Sequence, residues 1–298
     1  MGPESAGPFL YKDKSMNYLK YSLLIISLIL SSSLFAVDME AIPHVSQKAS
    51  NSFKYEYLFA NSHRAFAIAP GGAWSWVADK PTESVAKKAA LNACSSYTEQ
   101  KCVLFALNKE VVFSYHEWYK LWGPYKTKKQ AQKSASGILV GQKFPDIKYT
   151  DPAGKKKSIH ELKGKISFVH FWGSWCPSCA HEFPAIMDMY RIINDIMPGQ
   201  VEFVLLQVRE SLDTSKKWAE ENSTEKLPLS DSGVKSEDDE MLSLNSGKQV
   251  KDRNLAKVFP ASYVLDKNGL VIFSNMGSIE NWTEYVNFFK DAADNSGL

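Results

Sequence analysis

Two continuous apolar runs, Ile166 to Trp172 and Val201 to Val208, dominate the second half of the chain. Neither alternates with polar positions, so each reads as a strand buried on both faces. Between them Phe183, Ile186, Met187, Tyr190 and Ile193 recur at helical spacing, one apolar face of a helix that Pro184 is expected to kink. Leu212 to Asn222 reads as a further helix and Asn281 to Ala293 as a closing one. Ser262 to Leu265 and Leu270 to Phe273 read as strands joined by the tight turn Asp266-Lys-Asn-Gly269. Phe144 to Tyr149 and Lys157 to Ile159 predict a hairpin ahead of the main sheet. Strands alternating with helices predict an α/β sheet, to which the late hairpin gives an antiparallel edge.

The first half is patterned on a smaller scale. Ala65 to Ala69 and Ala73 to Val77 read as strands about a turn at Pro70-Gly71-Gly72. Thr82 can cap a helix that carries Glu83 in its first turn. Within that helix Ala86, Ala89, Ala90, Ala93 and Cys94 form a small-residue face suited to close packing. Cys102 to Leu107 and Val111 to Phe113 follow as two more strands. These elements make a small α+β domain over 57–115, with residues 38–56 mixed and loosely ordered ahead of it. The basic stretch Lys126 to Gly137 suits an exposed connector, so a linker is placed over 116–137 and a second domain over 138–298. Ser230 to Asp252, rich in Ser, Asp, Glu and Lys, reads as an exposed loop or insertion.

The N-terminus carries an address. Leu23 to Leu30 is an apolar core preceded by Lys20 and followed by Ser31-Ser-Ser-Leu-Phe-Ala36. It falls short of the roughly 20 apolar residues of a membrane span and fits a secretory signal over 1–36, cleaved after Ala36. An uncleaved membrane tether is the alternative. Met16, just ahead of this pattern, is the expected start of translation. Either way the bulk of the chain is expected outside the cytoplasm, in the periplasm or cell envelope, where disulfides persist. A net charge of +2 over 298 residues gives no general attraction to nucleic acid, and 44% hydrophobic residues fit a globular protein.

Candidate chemistry lies in the four cysteines. Cys176-Pro177-Ser178-Cys179 follows the strand Ile166 to Trp172 and opens the next helix, where free N–H groups and the helix dipole favour a thiolate on the first sulfur. A structural disulfide or half of a zinc site uses the same spacing, but the other two cysteines fall in the separate first domain. Covalent haem attachment needs histidine after the second cysteine, and Ala180 stands there. Cys94 and Cys102 would close a loop of roughly nine residues, worth roughly 2–3 kcal/mol as a structural disulfide. A second redox pair there would lack a helix N-terminus. Tyr115, Trp118, Tyr119, Trp122 and Tyr125 form an aromatic patch that reads as packing or as a partner surface.

Phe168-Val-His-Phe-Trp-Gly-Ser-Trp-Cys-Pro-Ser-Cys179, followed by Glu182-Phe-Pro184, resembles the active-site segment of thioredoxin-fold proteins. Phe259-Pro260-Ala-Ser-Tyr-Val-Leu-Asp266 resembles their cis-proline segment, and Gly141-Gln-Lys-Phe-Pro145 with Glu182-x-Pro184 resembles the exported TlpA/ResA-type branch. That branch includes cytochrome c maturation thioredoxins. The likeness covers about residues 138–295, while Ala65 to Val77 more loosely resembles small secreted domains of unknown function.

The resemblance implies a thioredoxin-like mixed sheet flanked by helices and a thiol–disulfide oxidoreductase. Cys176 would be the exposed nucleophile and Cys179 the buried resolving thiol. Trp175 and Pro177 would flank the pair, and Phe259 with a cis Pro260 would line the substrate edge. Glu182, one turn beyond Cys179, could exchange its proton. His170 stands where relatives carry a buried acid or an amide; a packed neutral imidazole and a proton-transfer group are both open. Phe259 is larger than the residue often found before this proline, which narrows the groove or fills the sheet edge.

No metal or organic cofactor is expected beyond the Cys176–Cys179 disulfide itself. The expected partners are exported disulfide proteins, such as an apocytochrome, and a membrane thiol reductant. Because Ser178 brings no charge to the pair, a potential nearer thioredoxin's approximately −270 mV than the roughly −120 mV of strong oxidants is expected. The competing functions are a disulfide oxidase or isomerase, a partner-binding module built on the N-terminal domain, and a soft-metal chaperone holding Cu(I) on both thiols.

Overall fold

The chain is laid out by two sheets and the helices that cover them. The computed structural model describes residues 42, 45, 47–70, 72–98, 100–114, 121–122 and 125–297. The predicted signal segment and start, Gly71 and the aromatics Tyr115, Trp118 and Tyr119 lie outside the described residues. Residues 41–298 form one compact unit.

Residues 47–55, expected to be loosely ordered, instead form helix α1, Gln47–Tyr55. Its polar composition hides two core positions, Ala49 and Phe53, which are buried. The Phe53 ring meets Tyr57, Phe66 and Phe105 at 5.1–5.2 Å, contacts that stabilise by about 0.5–1.5 kcal/mol each. Strands β1 (Ala65–Ile68), β2 (Trp74–Val77), β3 (Val103–Leu107) and β4 (Glu110–Val111) form an antiparallel sheet in the order β2-β1-β3-β4. Alternation along β1 sends Phe66 and Ile68 toward α1, and Ala65, Ala67 and Ala69 toward helix α2, Glu83–Ser95. There Ala86, Ala90 and Cys94 let helix and sheet approach closely. Thr82 caps α2, its side chain accepting from Val85 N–H.

The expected linker is not a free connector. Thr127 opens a capping box over the short helix α3, Lys128–Lys133. Asn268 Nδ2 donates to Lys126 O at 3.1 Å, and Tyr125 Oη donates to Asp291 at 2.6 Å. Trp122 is buried edge-on against Phe288 at 6.1 Å.

Hairpin β5 (Lys148–Thr150) and β6 (Lys156–Ser158) precedes the main sheet. Strand β7, Ile166–Trp172, is buried at every position, the polar Ser167 and His170 included. Helix α4, Pro177–Ile196, runs on through Pro184. Strand β8 (Val201–Gln207), helix α5 (Leu212–Glu221) and strand β9 (Leu229–Ser230) follow.

The segment expected to be an exposed loop holds a hairpin, β10 (Met241–Ser243) with β11 (Gln249–Lys251), then the turn of helix α6, Asp252–Leu255. Leu242 and Leu255 are its buried anchors, and Asp252 pairs with Arg209. Strands β12 (Ala261–Leu265) and β13 (Val271–Met276) and helix α7 (Val286–Asn295) complete the chain. The main sheet is ordered β13-β12-β7-β8-β9, parallel among β7, β8 and β9 and antiparallel at β12 and β13. This is a mixed α/β, thioredoxin-like arrangement preceded by a disulfide-containing α+β region.

Candidate active site

Parallel β7 must leave the sheet at its C-terminal edge, and the four residues after Trp172 turn it into α4. Gly173 is required in that turn because the Trp175 indole lies against it. A Cβ there would sit 2.2 Å from Trp175 Nε1. Glu210 holds the next residue, accepting from Ser174 N–H at 2.8 Å and from the Ser174 hydroxyl, while Ser215 Oγ donates to it at 2.6 Å.

Cys176 is the N-cap of α4 and Pro177 fills the first helical position. The Cys176 sulfur accepts from Cys179 N–H at 3.2 Å, and the Cys176 carbonyl accepts from Ala180 N–H at 3.1 Å. Cys176 and Cys179 are joined as a disulfide. Cys176 is not the freely exposed sulfur expected from the sequence: it shows 5% of its surface and Cys179 none. Pro177 and Ser178 are exposed.

The register of β12 brings the second segment alongside. Ala261 pairs with Phe171 and Ser262 with His170, which sets Phe259 and Pro260 beside the turn carrying Trp175 and Cys176. The Phe259–Pro260 peptide is cis. Trp175 donates from Nε1 to Val208 O at 3.0 Å and meets the Phe259 ring edge-on at 5.5 Å.

Beneath the disulfide lies a dry polar pair. His170 and Glu182 are both fully buried, with His170 Nε2 3.9 Å from Glu182 Oε2. His170 Nδ1 shares a 2.9 Å hydrogen bond with Ser262 Oγ. Glu182 Oε1 accepts from Ile279 N–H at 2.9 Å and from Trp282 Nε1–H at 2.7 Å. Phe168, Phe183 and Trp282 wall the pair in. Burial pushes Glu182 up to about 8, against the two N–H donors that favour its charge. Burial likewise drives His170 down to about 3. At neutral pH the imidazole is uncharged and the carboxyl keeps its proton, so His170 is a packed neutral histidine whose Nε2 faces an acid.

Residues 140–274 match the model of the AhpC/TSA family. The thioredoxin-like domain is similar to the thiol-disulfide oxidoreductase ResA of Bacillus cereus, 26% identical over 140 residues that are 47% of this chain and 71% of that protein. It is also similar to ResA of Bacillus subtilis, 27% identical over 155 residues, 51% of this chain and 77% of that one. Among solved structures, a putative thiol:disulfide interchange protein DsbE from Chlorobium tepidum is 19% identical, covering 53% of this chain and 99% of its own with a TM-score of 0.40.

The structure thus brings together Trp175, Cys176, Cys179, Phe259 and Pro260, with Glu182 one turn below. Cys94 and Cys102 are bonded to each other in the α+β region, so they do not join the CxxC pair. Among the described residues no cluster of three or more His, Cys, Asp or Glu is placed to hold a metal ion. Sequence reasoning missed Gly173 and Glu210. A glycine directly before an aromatic turn was the available signal for the first, and nothing marks the second.

Proposed function

We infer that the protein is a thiol–disulfide oxidoreductase that reduces disulfides in exported proteins through Cys176 and Cys179. The observation that carries this is the Cys176–Cys179 bond at the start of α4, its first sulfur accepting a helix N–H beside Phe259–Pro260. The match of residues 140–274 to the AhpC/TSA model and the likeness to ResA support the same chemistry.

In the dithiol state the helix N-terminus favours a Cys176 thiolate, which attacks one sulfur of a partner disulfide. A mixed disulfide forms and the partner's other sulfur leaves as a thiolate, taking up a proton. Cys179 then loses its proton and attacks Cys176. The partner's second sulfur departs, and the Cys176–Cys179 bond is restored. Two electrons and two protons pass to the partner. Glu182, on the helical face of Cys179, takes the proton of that second thiol from its carboxylate form, the minority form below about pH 8, and returns it afterwards as the acid.

Re-reduction requires an external dithiol, and we assign that role to a membrane thiol reductant. Location in the periplasm or cell envelope is supported by the signal-like N-terminus and by the second disulfide, Cys94–Cys102. An apocytochrome is the proposed class of client. In Cys179→Ala the mixed disulfide on Cys176 cannot be resolved, so an envelope extract should yield a covalent adduct identifiable by mass spectrometry. Absence of any adduct, together with failure of the reduced wild-type chain to reduce insulin, would refute the assignment.

A further inference from the structure

The ring of Phe259, edge-on to Trp175 beside the redox turn, carries two guanidinium groups. The Arg209 group lies 5.9 Å from the ring centre and the Arg253 group 4.4 Å. Their electrostatic surroundings differ. Arg209, held with φ at 59°, binds Asp252 through Nε and Nη2 at 2.7 and 3.0 Å and Glu240 through Nη2 at 2.9 Å. Its charge is matched within the fold. Arg253 donates from Nη1 to Lys257 O at 3.0 Å and has no carboxylate within ion-pair distance among the described residues.

Arg253 is also positioned for an outside partner. It is exposed, on α6, and the chain from there leads straight into Phe259 and Pro260. Stacking on Phe259 and the bond to Lys257 O fix the plane of its guanidinium, leaving further N–H donors free to grip a carboxylate in two-point fashion. Val258, next to Phe259 in the chain, is 52% exposed, and Trp175, edge-on to Phe259, is 40% exposed, so apolar surface borders the redox turn. Lys257 adds a second exposed positive charge.

We propose that Arg253 selects the client of the exchange reaction, capturing an Asp or Glu close in sequence to the cysteine that Cys176 attacks. The proposal rests on the exchange chemistry assigned above and adds the chemical class of the substrate. Arg253 lies within about 10 Å of the Trp175 ring, roughly three residues of extended chain. The acidic residue therefore stands two to four positions from the attacked cysteine, with apolar side chains between them on Trp175 and Val258. A phosphate or a membrane surface would use the same positive charge. The exposed apolar Val258 and Trp175 bordering the redox turn favour a polypeptide.

The test uses the reduced full-length chain and two disulfide peptides identical except for Glu or Lys three residues from the cysteine. The wild type should reduce the Glu peptide about 5- to 20-fold faster at limiting substrate, a ratio that shrinks as salt is raised. Arg253→Glu should reverse the order, and Arg253→Gln should bring the ratio near one. Lys88→Glu, an equal charge change on the exposed face of α2, should leave the ratio as it is. Equal rates for the two peptides with wild type, or a ratio unmoved by Arg253→Glu, would overturn the assignment. Reduction of neither peptide would count against the exchange reaction instead. The preference is then read from titrations with the S-methylated peptides, where equal affinity for both refutes the role of Arg253.

Discussion

Replacing Glu182 with Gln tests the buried acid without emptying its site. The amide oxygen can still accept from Ile279 N–H and Trp282 Nε1–H, so the packing around Phe168 and Trp282 should persist. What disappears is the titration. In the unfolded chain Glu182 loses its proton near 4.5, whereas burial holds the proton in the fold until about 8. Between those values the folded state binds more protons than the unfolded one, so stability falls as pH rises, by about 1.4 kcal/mol per pH unit. Between pH 5 and pH 8 the loss from this residue is about 3 kcal/mol, an order-of-magnitude upper figure. His170 works with the opposite sign. Its value drops from 6.5 to about 3, so its contribution is lost as pH falls through that interval. The two slopes cancel between about 4.5 and 6.5 and leave the acid alone above that range. Urea unfolding of the oxidised protein, wild type against Glu182→Gln, should show the variant gaining on the wild type by about 3 kcal/mol from pH 5 to pH 8. Cysteine ionisation does not intrude in the disulfide form. A difference between the two proteins that stays flat with pH would show that Glu182 is ionised in the fold and refute the neutral-acid role.

Removing the second disulfide by Cys94→Ala with Cys102→Ala should lower unfolding free energy by about 2.5 kcal/mol, read from denaturant midpoints, and leave exchange through Cys176 intact. Gly173→Ala should force the Trp175 indole off Val208 O and away from Phe259. Stability should drop by about 1–3 kcal/mol, and the reduced Cys176 should alkylate faster; an unchanged alkylation rate would mean that the indole does not shield the sulfur.

The redox end of the main sheet was legible because local signals agreed there. A predominantly apolar strand, a cysteine able to cap, a proline at the first helical position and a periodic helix face all point to one strand–turn–helix unit. Helix α1 was not, since its polar sequence offers only Ala49 and Phe53 as apolar core positions, and its stability comes from Phe53 meeting Phe66 and Phe105 across the sheet. The hairpin β10–β11 was hidden by charge, although Asn245-Ser-Gly247 marked its turn, with Gly247 at φ 82°. The facing of His170 and Glu182 was beyond sequence for another reason. One sits on β7 and the other on α4, and only their packing decides that two titratable groups share a dry pocket. Arg253 and Phe259 were separately visible as residues, but their stacking depends on how α6 folds back.

The seam around Gln100 has a practical consequence. Its side-chain amide reaches Trp122 O and Ile272 O at 3.3 and 3.4 Å, next to the Trp122–Phe288 contact. Anyone expressing the catalytic half alone from residue 138 would strip that indole from the terminal helix and bare a greasy wall to solvent. Such a fragment should be sticky in a way the intact chain is not, and keeping residues 121–137 on it is the simplest remedy.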